Sequence, residues 1–228
     1  MSDSVNMKHI AYIETDFKEK FGIPRQSSRT EAEGRIVFLP EYRVREALRG
    51  LEGFSHLWII FDFSESHTEK WSPTVRPPRL GGNVRMGVFA TRSPFRPNPI
   101  GISSVKIEGI EHSETLGDTI LVSGVDLLDG TPIFDIKPYI ASSDSHPEAV
   151  GGFSDGAAGH KLNVCDGDAV LGRIPEKKRE TLMKALADDP RPSYQNDAER
   201  IYSMRFSDYD VAFRVDGENL YVLSVKDI

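Results

Sequence analysis

The sequence is poor in the residues that cross-link small folds through disulfides or bind structural metals. Its 228 residues include one cysteine, Cys165, so no intramolecular disulfide can form. The six histidines are scattered, and none of them fall in an H-x-H or H-x-x-x-H spacing. Together with the lone cysteine they make no zinc-binding pattern. The sequence therefore predicts a fold held by packing alone, with no metal.

Long apolar runs are also absent. The longest unbroken run, Leu57 to Phe61, has five residues, whereas a membrane-spanning helix needs about 20. The first residues contain no basic stretch followed by an apolar one, as a signal peptide would. We therefore expect a cytoplasmic protein with no membrane partner.

The spacing of the 19 glycines excludes the common phosphate-binding loops. No two of them are separated by a single residue, so the G-x-G of a dinucleotide-binding fold is missing. No G-x-x-x-x-G-K-[ST] loop occurs, and no G-x-S-x-G elbow is present. Rossmann and P-loop chemistry are thus excluded, and nucleophilic hydrolysis has little support.

Short β-rich runs dominate residues 35–136. They are Ile36 to Phe38, Leu57 to Phe63, Met86 to Phe89, Ile102 to Ile110, Ile120 to Val125 and Ile133 to Ile136. One short helix is expected among them, over residues 44–51, and Asp129-Gly130 predicts a hairpin turn. Many short strands without regular helical crossovers favour a barrel or curled sheet.

A second unit follows a small, polar stretch at residues 141–168. Beyond it, Pro175 opens a helix expected to bury Leu182, Met183 and Leu186, and three strands follow. The predicted fold class is mainly β. It comprises a small β-barrel domain at residues 1–145, a linker or long loop at 146–167, and an appended small α+β domain at 168–228.

Charge is segregated along the chain. The net charge is −7, yet residues 70–106 carry seven Lys or Arg and no Asp or Glu. Such a basic segment attracts polyanions to one face. The alternative is a solvated loop whose arginines pair with carboxylates elsewhere in the chain.

Proline stiffens the same segment. Six of the 14 prolines lie between residues 73 and 99, where each fixes φ and lowers the entropy lost on ordering the loop. Arg92 and Arg96 can each hold a carboxylate or phosphate through a fork of donors. This pattern predicts a preorganised anion-binding rim, although surface loops in general are rich in proline and arginine.

Four long motifs carry a family resemblance. They are L-E-x-x-S-H-L-W at residues 51–58, W-x-P-T-V-R-P-P-R-L-G-G at 71–82, the stretch from Gly87 to Gly101, and D-G-T-P-x-x-D-I-K-P-Y at 129–139. In this order they resemble the TrmO family, and D-P-R-P-x-Y at 189–194 resembles the C-terminal domain of its bacterial members. The resemblance implies a homodimeric β-barrel enzyme. It also implies S-adenosylmethionine-dependent methylation of N6 in threonylcarbamoyladenosine beside the tRNA anticodon.

The resemblance also implies a set of cofactor contacts. These are Pro24, Arg25, Gln26, Ser64, Glu65, Ser66, Arg92, Ile102, Leu127, Leu128, Asp129 and Gly130. Ser64 departs from the family pattern, because bacterial relatives often carry histidine there. Serine does not titrate near neutral pH, so either that histidine is not an essential base or this protein is altered.

Methyl transfer to N6 also calls for a proton acceptor and for contacts to RNA. Asn98 and Asp135 are the catalytic candidates, since an oxygen near N6–H raises its electron density. Asn98 can equally be a turn residue, and Asp135 a buried structural acceptor. Substrate contacts are expected from Arg76, Arg79, Arg85, Arg96, Tyr139, Arg191 and Tyr194.

Two other functions fit the same residues. A non-catalytic RNA- or nucleotide-binding barrel would use the same basic rim. A methyltransferase with a small-molecule acceptor would leave the C-terminal unit without an obvious task.

Overall fold

The first sheet closes on itself. A computed structural model describes residues 4–77, 84–157, 161–191, 195 and 197–228. The strands of this sheet are β1 (Ala11–Thr15), β2 (Glu33–Phe38), β3 (His56–Asp62), β6 (Ile100–Ser113), β7 (Gly117–Ser123) and β8 (Pro132–Pro138). Their order is β1-β2-β7-β6-β3-β8, and β8 pairs back onto β1. The short strands β4 (Thr74–Val75) and β5 (Met86–Gly87) pair separately with each other.

Apolar side chains from alternate positions of the strands fill the inside of this sheet. In β3, Leu57, Ile59 and Phe61 are buried, while the side chains between them are partly exposed. Ile13 of β1 and Ile36 of β2 are fully buried in the same core. Successive side chains of a strand point to opposite faces, so the period-two pattern places one face of each strand inside. The prediction of a mainly β chain is confirmed.

Residues 124–131 connect strands on opposite sides of the closed sheet. Since β7 pairs with β2 and β6, whereas β8 pairs with β1 and β3, the predicted hairpin at Asp129-Gly130 is wrong. The segment instead crosses one end of the sheet and bonds to β1. Gly130 N–H donates to the Ile13 carbonyl at 2.8 Å, and Thr15 N–H donates to Asp129 Oδ1 at 2.8 Å. Gly130 has a φ of +76°, a conformation that glycine adopts without strain.

Helical structure is sparse. The helix predicted over residues 44–51 is replaced by 3₁₀ turns at Pro40–Tyr42, Arg45–Leu48 and Leu51–Gly53, and left-handed Gly50 separates the last two. The α-helices are α1 (Ala141–Asp144) and α2 (Glu176–Ala187). As predicted, α2 follows Pro175 and buries Leu182 and Leu186, but Met183 is 38% exposed rather than buried. Among the described residues, no helix has the length and apolarity to cross a bilayer.

The second sheet lies in the C-terminal half. It consists of β9 (Asn163–Cys165), β10 (Tyr202–Phe206), β11 (Tyr209–Asp216) and β12 (Asn219–Asp227), in the order β10-β11-β12-β9. The stretch predicted to be a linker therefore contains a strand, because β9 pairs in parallel with β12. The hairpin predicted at Asp216-Gly217 is confirmed between β11 and β12.

The two sheets share one hydrophobic core. Phe17, just after β1, packs edge-on against Phe206 of β10 with ring centroids 5.6 Å apart. Salt bridges also link α2, and Asp188 directly after it, to the N-terminal segment. They are Lys177–Glu33, Lys178–Asp16, Lys184–Glu31 and Arg29–Asp188. Cations in the first turn of a helix oppose its dipole, and their acidic partners offset that cost.

Two glycines of β6 provide a matched test of packing inside the closed sheet. A Cβ on Gly101 would collide with the Phe61 ring, whereas a Cβ on Gly109 would meet nothing within 4 Å. We predict that Gly101→Ala lowers the free energy of unfolding by about 1–3 kcal/mol, because the buried ring has little room to move. Gly109→Ala should change it by no more than about 0.5 kcal/mol. Urea unfolding of both variants checks this, and equal stabilities would contradict it.

Candidate functional site

A cleft of about 410 Å³ opens at the end of the sheet that residues 124–131 cross. Its lining residues come from five parts of the chain: Lys20 and 23–26, 61–66, Arg92 with Pro94 and Arg96, 100–103, and 126–128 with Thr131. Small-molecule sites typically have volumes of roughly 300–1,000 Å³. The cleft therefore has the size of a cofactor site.

Strand pairing brings these segments together. β3 ends where β6 begins, with Asp62 opposite Ile100, so the residues after β3 and those before β6 lie at the same end of the sheet. Phe63 N–H donates to the Pro99 carbonyl at 2.8 Å and ties the two segments together. Within the second segment, Arg96 Nη1 donates to the Thr91 carbonyl at 3.1 Å.

Most of the predicted cofactor contacts line the cleft. They are Pro24, Arg25, Gln26, Ser64, Glu65, Ser66, Arg92, Ile102, Leu127 and Leu128, and Arg96 lines it as well. Asp129 and Gly130 do not. Besides accepting the Thr15 N–H, Asp129 pairs with Lys18 at 2.8 Å, so both residues serve to anchor the crossing segment to β1 and the residues after it.

The two predicted catalytic residues lie outside the cleft. Asn98 lines a neighbouring open groove of about 450 Å³, together with Phe89, Arg96, Pro97, Ile100 and Ile102. Asp135 is on β8, where its Oδ2 pairs with Lys137 at 2.8 Å and its Oδ1 accepts the Ile136 N–H. The side chain of Asp135 is 43% exposed and, among the described residues, bonds only to neighbours on its own strand.

The predicted RNA contacts are dispersed. Arg76 and Arg85 are exposed near β4 and β5, and Arg85 donates to Thr74 Oγ1 at 3.2 Å. Tyr139 packs against Trp58, with ring centroids 5.5 Å apart. Arg79 and Tyr194 lie outside the described residues.

Arg191 does not fit the expectation of an exposed, nucleotide-facing cation. Its side chain is 8% exposed, and its Nε and Nη2 both donate to the Asp189 carboxylate, at 2.8 and 3.0 Å. A buried guanidinium paired in this way cannot contact RNA, because two of its donors already bond to the Asp189 carboxylate.

Arg92 joins two walls of the cleft. Its Nη1 donates to Gln26 Oε1 at 2.7 Å. A guanidinium carries five N–H donors in a planar fork, so this bond fixes the side chain without using all of its hydrogen-bonding capacity. Arg92 is therefore placed to bind an anionic group within the cleft.

Asp126 is one of the cleft residues that sequence reasoning missed. Ser103 Oγ donates to its Oδ1 at 2.6 Å. Burial raises the pKa of Asp126 to about 6, although the Ser103 hydrogen bond and the charge of Arg92 act to lower it. A carboxylate with a perturbed pKa in a cleft is a candidate functional group. Its signal in the sequence is a lone charge within the apolar run Val125-Asp126-Leu127-Leu128.

A histidine lies close to Ser64 and contacts a buried carboxylate. Ser64 begins the 3₁₀ turn Ser64–Ser66 on the cleft wall. His67 follows that turn, and its Nε2 lies 2.6 Å from Oδ1 of buried Asp62. His9 Nε2 lies 3.4 Å from the other oxygen of Asp62. In the described part of the chain, no three His, Cys, Asp or Glu side chains are grouped to hold a metal.

Comparison with known proteins agrees with this architecture. The tRNA-methyltransferase O N-terminal domain matches residues 12–145, and the TrmO C-terminal domain matches residues 169–228. The chain belongs to the tRNA-methyltransferase O family. The family resemblance found in the sequence motifs is confirmed.

Individual members of the tRNA-methyltransferase O family and its relatives align over most of the chain. The tRNA (adenine(37)-N6)-methyltransferase of Escherichia coli K12 is 40% identical, with 98% of each chain covered. A provisionally named S-adenosylmethionine-dependent methyltransferase of Pseudomonas aeruginosa is 42% identical over 89% of each chain. The crystal structure of TrmO from P. aeruginosa matches with a TM-score of 0.79 at 33% identity, covering 100% of this chain and 99% of that one.

The raised pKa of the Asp126 carboxylate leads to a prediction about the stability of the fold. Its pKa in the folded chain is about 6, above the ordinary value of 3.8, so ionisation disfavours folding as the pH rises through that interval. We predict that Asp126→Asn raises the free energy of unfolding at pH 7.5 by up to about 3 kcal/mol, and hardly changes it below pH 4.

Urea unfolding as a function of pH measures this difference. The control is Glu52→Gln, which removes a carboxylate charge at an exposed position. A constant difference between Asp126→Asn and the wild type at all pH values would contradict the assignment of a raised pKa.

Proposed function

We propose that the chain is an S-adenosylmethionine-dependent methyltransferase acting on N6 of threonylcarbamoyladenosine beside the anticodon of tRNA. The observation that carries the proposal is the single cleft, which gathers ten of the twelve residues implied as cofactor contacts. The full-length match to a tRNA (adenine(37)-N6)-methyltransferase supports the reaction class.

The cleft suits the cofactor chemically. S-adenosylmethionine, when bound, supplies an electrophilic methyl group on a sulfonium and presents a carboxylate, an ammonium and an adenine. Arg92 would hold the carboxylate through its remaining donors. Apolar side chains of the cleft, including Ile23, Phe61, Ile102 and Leu127, provide surface for the adenine. The carboxylates of Asp62 and Glu65 would balance the positive charge of the sulfonium and the ammonium.

The chain contributes to the reaction mainly by positioning. Displacement at a methyl carbon requires the nucleophile and the leaving group to lie in line, and orientation alone can supply effective molarities of about 10⁵ M or more. The hydrogen bond between Arg92 and Gln26 joins two segments of the cleft, and the pairing of β3 with β6 fixes two others. No covalent intermediate with the protein is needed.

RNA would approach over the basic segment. Arg76 and Arg85 are exposed there, where they can pair with phosphates, and Arg96 belongs to both the cleft and the neighbouring groove. The exposed ring of Phe95 can stack on an unpaired base. A location in the cytoplasm, where tRNA is available, stays a prediction.

We propose two roles for the C-terminal unit, residues 168–228: it assists tRNA binding, and it supports a residue of the cleft. Arg25 of the cleft donates from Nη2 to the carbonyls of Asp189 and Arg191, at 3.3 and 2.9 Å. The C-terminal unit therefore holds the side chain of Arg25, a predicted cofactor contact. Because the two units share one hydrophobic core, we treat them as one folded body.

A second copy of the chain would cover the apolar surface beside the cleft. Phe89 is 72% exposed and Ile102 is 47% exposed, and both line the groove next to the cleft. Burying such side chains favours association. The homodimer implied by the family resemblance is thus part of the proposal.

Methyl transfer to defined tRNA distinguishes the proposed enzyme from the alternatives. We expect the chain to transfer a labelled methyl group from S-adenosylmethionine to a tRNA that carries threonylcarbamoyladenosine. The same tRNA transcribed without this modification is the matched control and should gain no label. Binding of tRNA without transfer would favour a non-catalytic RNA-binding protein, and equal labelling of both tRNAs would exclude the threonylcarbamoyl group as the determinant.

The assignment of Arg92 is tested by cofactor binding. Arg92→Ala should raise the dissociation constant for S-adenosylmethionine about 10- to 100-fold, because a charge-assisted hydrogen bond contributes about 1.5–3 kcal/mol. Arg85→Ala, in the same basic segment but outside the cleft, should leave this constant unchanged while weakening tRNA binding. Calorimetry measures both, and wild-type cofactor affinity in Arg92→Ala would show that the anion-binding assignment is wrong.

A further inference from the structure

We propose that Asp126 is the catalytic carboxylate that accepts the proton lost by the acceptor nitrogen during methyl transfer. The proposal rests on the function proposed above and adds a specific group to it. It begins from the position of this side chain in the wall of the cleft, beside Leu127 and Leu128.

The hydrogen bonds of Asp126 orient the carboxylate and still leave room for a substrate. Its hydrogen-bond donor is the Ser103 hydroxyl, at 2.6 Å from Oδ1. A carboxylate has about four acceptor positions, so this bond leaves acceptor positions for a substrate. Ser103 is 2% exposed on β6, which means that a rigid strand holds the group in place.

The acceptor nitrogen needs such a group. In a carbamoylated adenine, N6 bears one hydrogen, and its lone pair is delocalised into both the ring and the carbonyl, so it is a weak nucleophile. In the proposed step, nitrogen forms the bond to the methyl carbon while the carbon–sulfur bond breaks with its electron pair passing to sulfur. The N6 proton passes to Asp126, which later releases it to solvent. Charge and atoms balance without another reactant.

The environment makes Asp126 a stronger base than an ordinary carboxylate. Burial raises its pKa to about 6, while Ser103 and the nearby charge of Arg92 lower it. The other charged side chains of the cleft are Lys20, Arg25, Asp62, Glu65 and Arg96. The group is thus ionised at neutral pH and close to the best range for proton transfer.

Asp62, a more deeply buried carboxylate of the cleft, is less suited to the task. It is 6% exposed, and each of its oxygens faces a histidine, His67 at 2.6 Å and His9 at 3.4 Å. Asp135, the candidate drawn from the sequence, is engaged with Lys137 away from the cleft. Asp126 therefore combines partial burial, orientation by Ser103 and remaining acceptor positions.

Single-turnover rates across pH test the proposal with the full-length chain. The wild-type rate on threonylcarbamoyl-tRNA should rise with pH along a limb near pH 6. Asp126→Asn should lower the rate about 100-fold or more and abolish the limb. Ser103→Ala should move the limb to higher pH, because loss of its hydrogen bond destabilises the ionised carboxylate.

Two readouts independent of turnover accompany the rates. Calorimetry should show S-adenosylmethionine affinity in Asp126→Asn within about threefold of the wild type, which corresponds to roughly 0.7 kcal/mol. The ¹³C resonance of the Asp126 carboxyl should titrate in the free protein at the pH of the rate limb.

Three outcomes would overturn the proposal. The first is a wild-type rate and pH profile in Asp126→Asn. The second is a loss of cofactor affinity that accounts for the whole fall in rate. The third is an abolished limb in Asp135→Asn with an intact one in Asp126→Asn. Failure of the proposed function itself is distinguishable, because the wild-type chain would then transfer no methyl group.

Discussion

A sheet that closes on itself constrains how the chain can connect its strands. β7 and β8 lie on opposite sides of the closed order, so the segment between them must pass across an end of the sheet. Residues 124–131 make that crossing and are fixed to β1 through Gly130 and Asp129. The crossing sets Asp126, Leu127 and Leu128 against the start of β6. The cleft and its chemistry follow from this one connection.

The same connection carries an electrostatic cost. Burial of the Asp126 carboxylate disfavours its charged form, and the Ser103 hydroxyl together with the charge of Arg92 compensates in part. Folding alone would be better served by an uncharged residue at this position. A group that destabilises the fold while facing a cleft is typical of functional sites, where residues needed for activity often lower the stability of the fold.

Local patterns predicted local structure well. The short β-rich runs predict the strand that carries Leu57, Ile59 and Phe61, and Pro175 predicts the start of α2. The family motifs identified most residues of the cleft. Partners distant in sequence were not predictable from such patterns. Asp129-Gly130 shows that the chain turns, but not which strands pair. The position of Arg191 between Pro190 and Pro192 predicts a rigid, exposed cation, whereas its side chain is 8% exposed and pairs with the Asp189 carboxylate.

The catalytic candidates show the same limit. The sequence predicts Asn98 and Asp135 because each carries an oxygen within a family motif, yet Asp126 is the partly buried carboxylate that Ser103 orients in the cleft. Its role depends on Ser103, 23 residues away along the chain, and on Arg92. A single charge inside an apolar run is equally typical of a turn, so the sequence alone does not distinguish the two cases.

A crystal structure of the chain with S-adenosylhomocysteine would test the central claim most directly. The account predicts that the ligand lies in the cleft at the crossed end of the closed sheet. Its carboxylate should contact Arg92, and its sulfur should face the side of the cleft where Ser103 and Asp126 lie. Ligand bound anywhere else, or in the cleft with its carboxylate directed away from Arg92, would contradict the account.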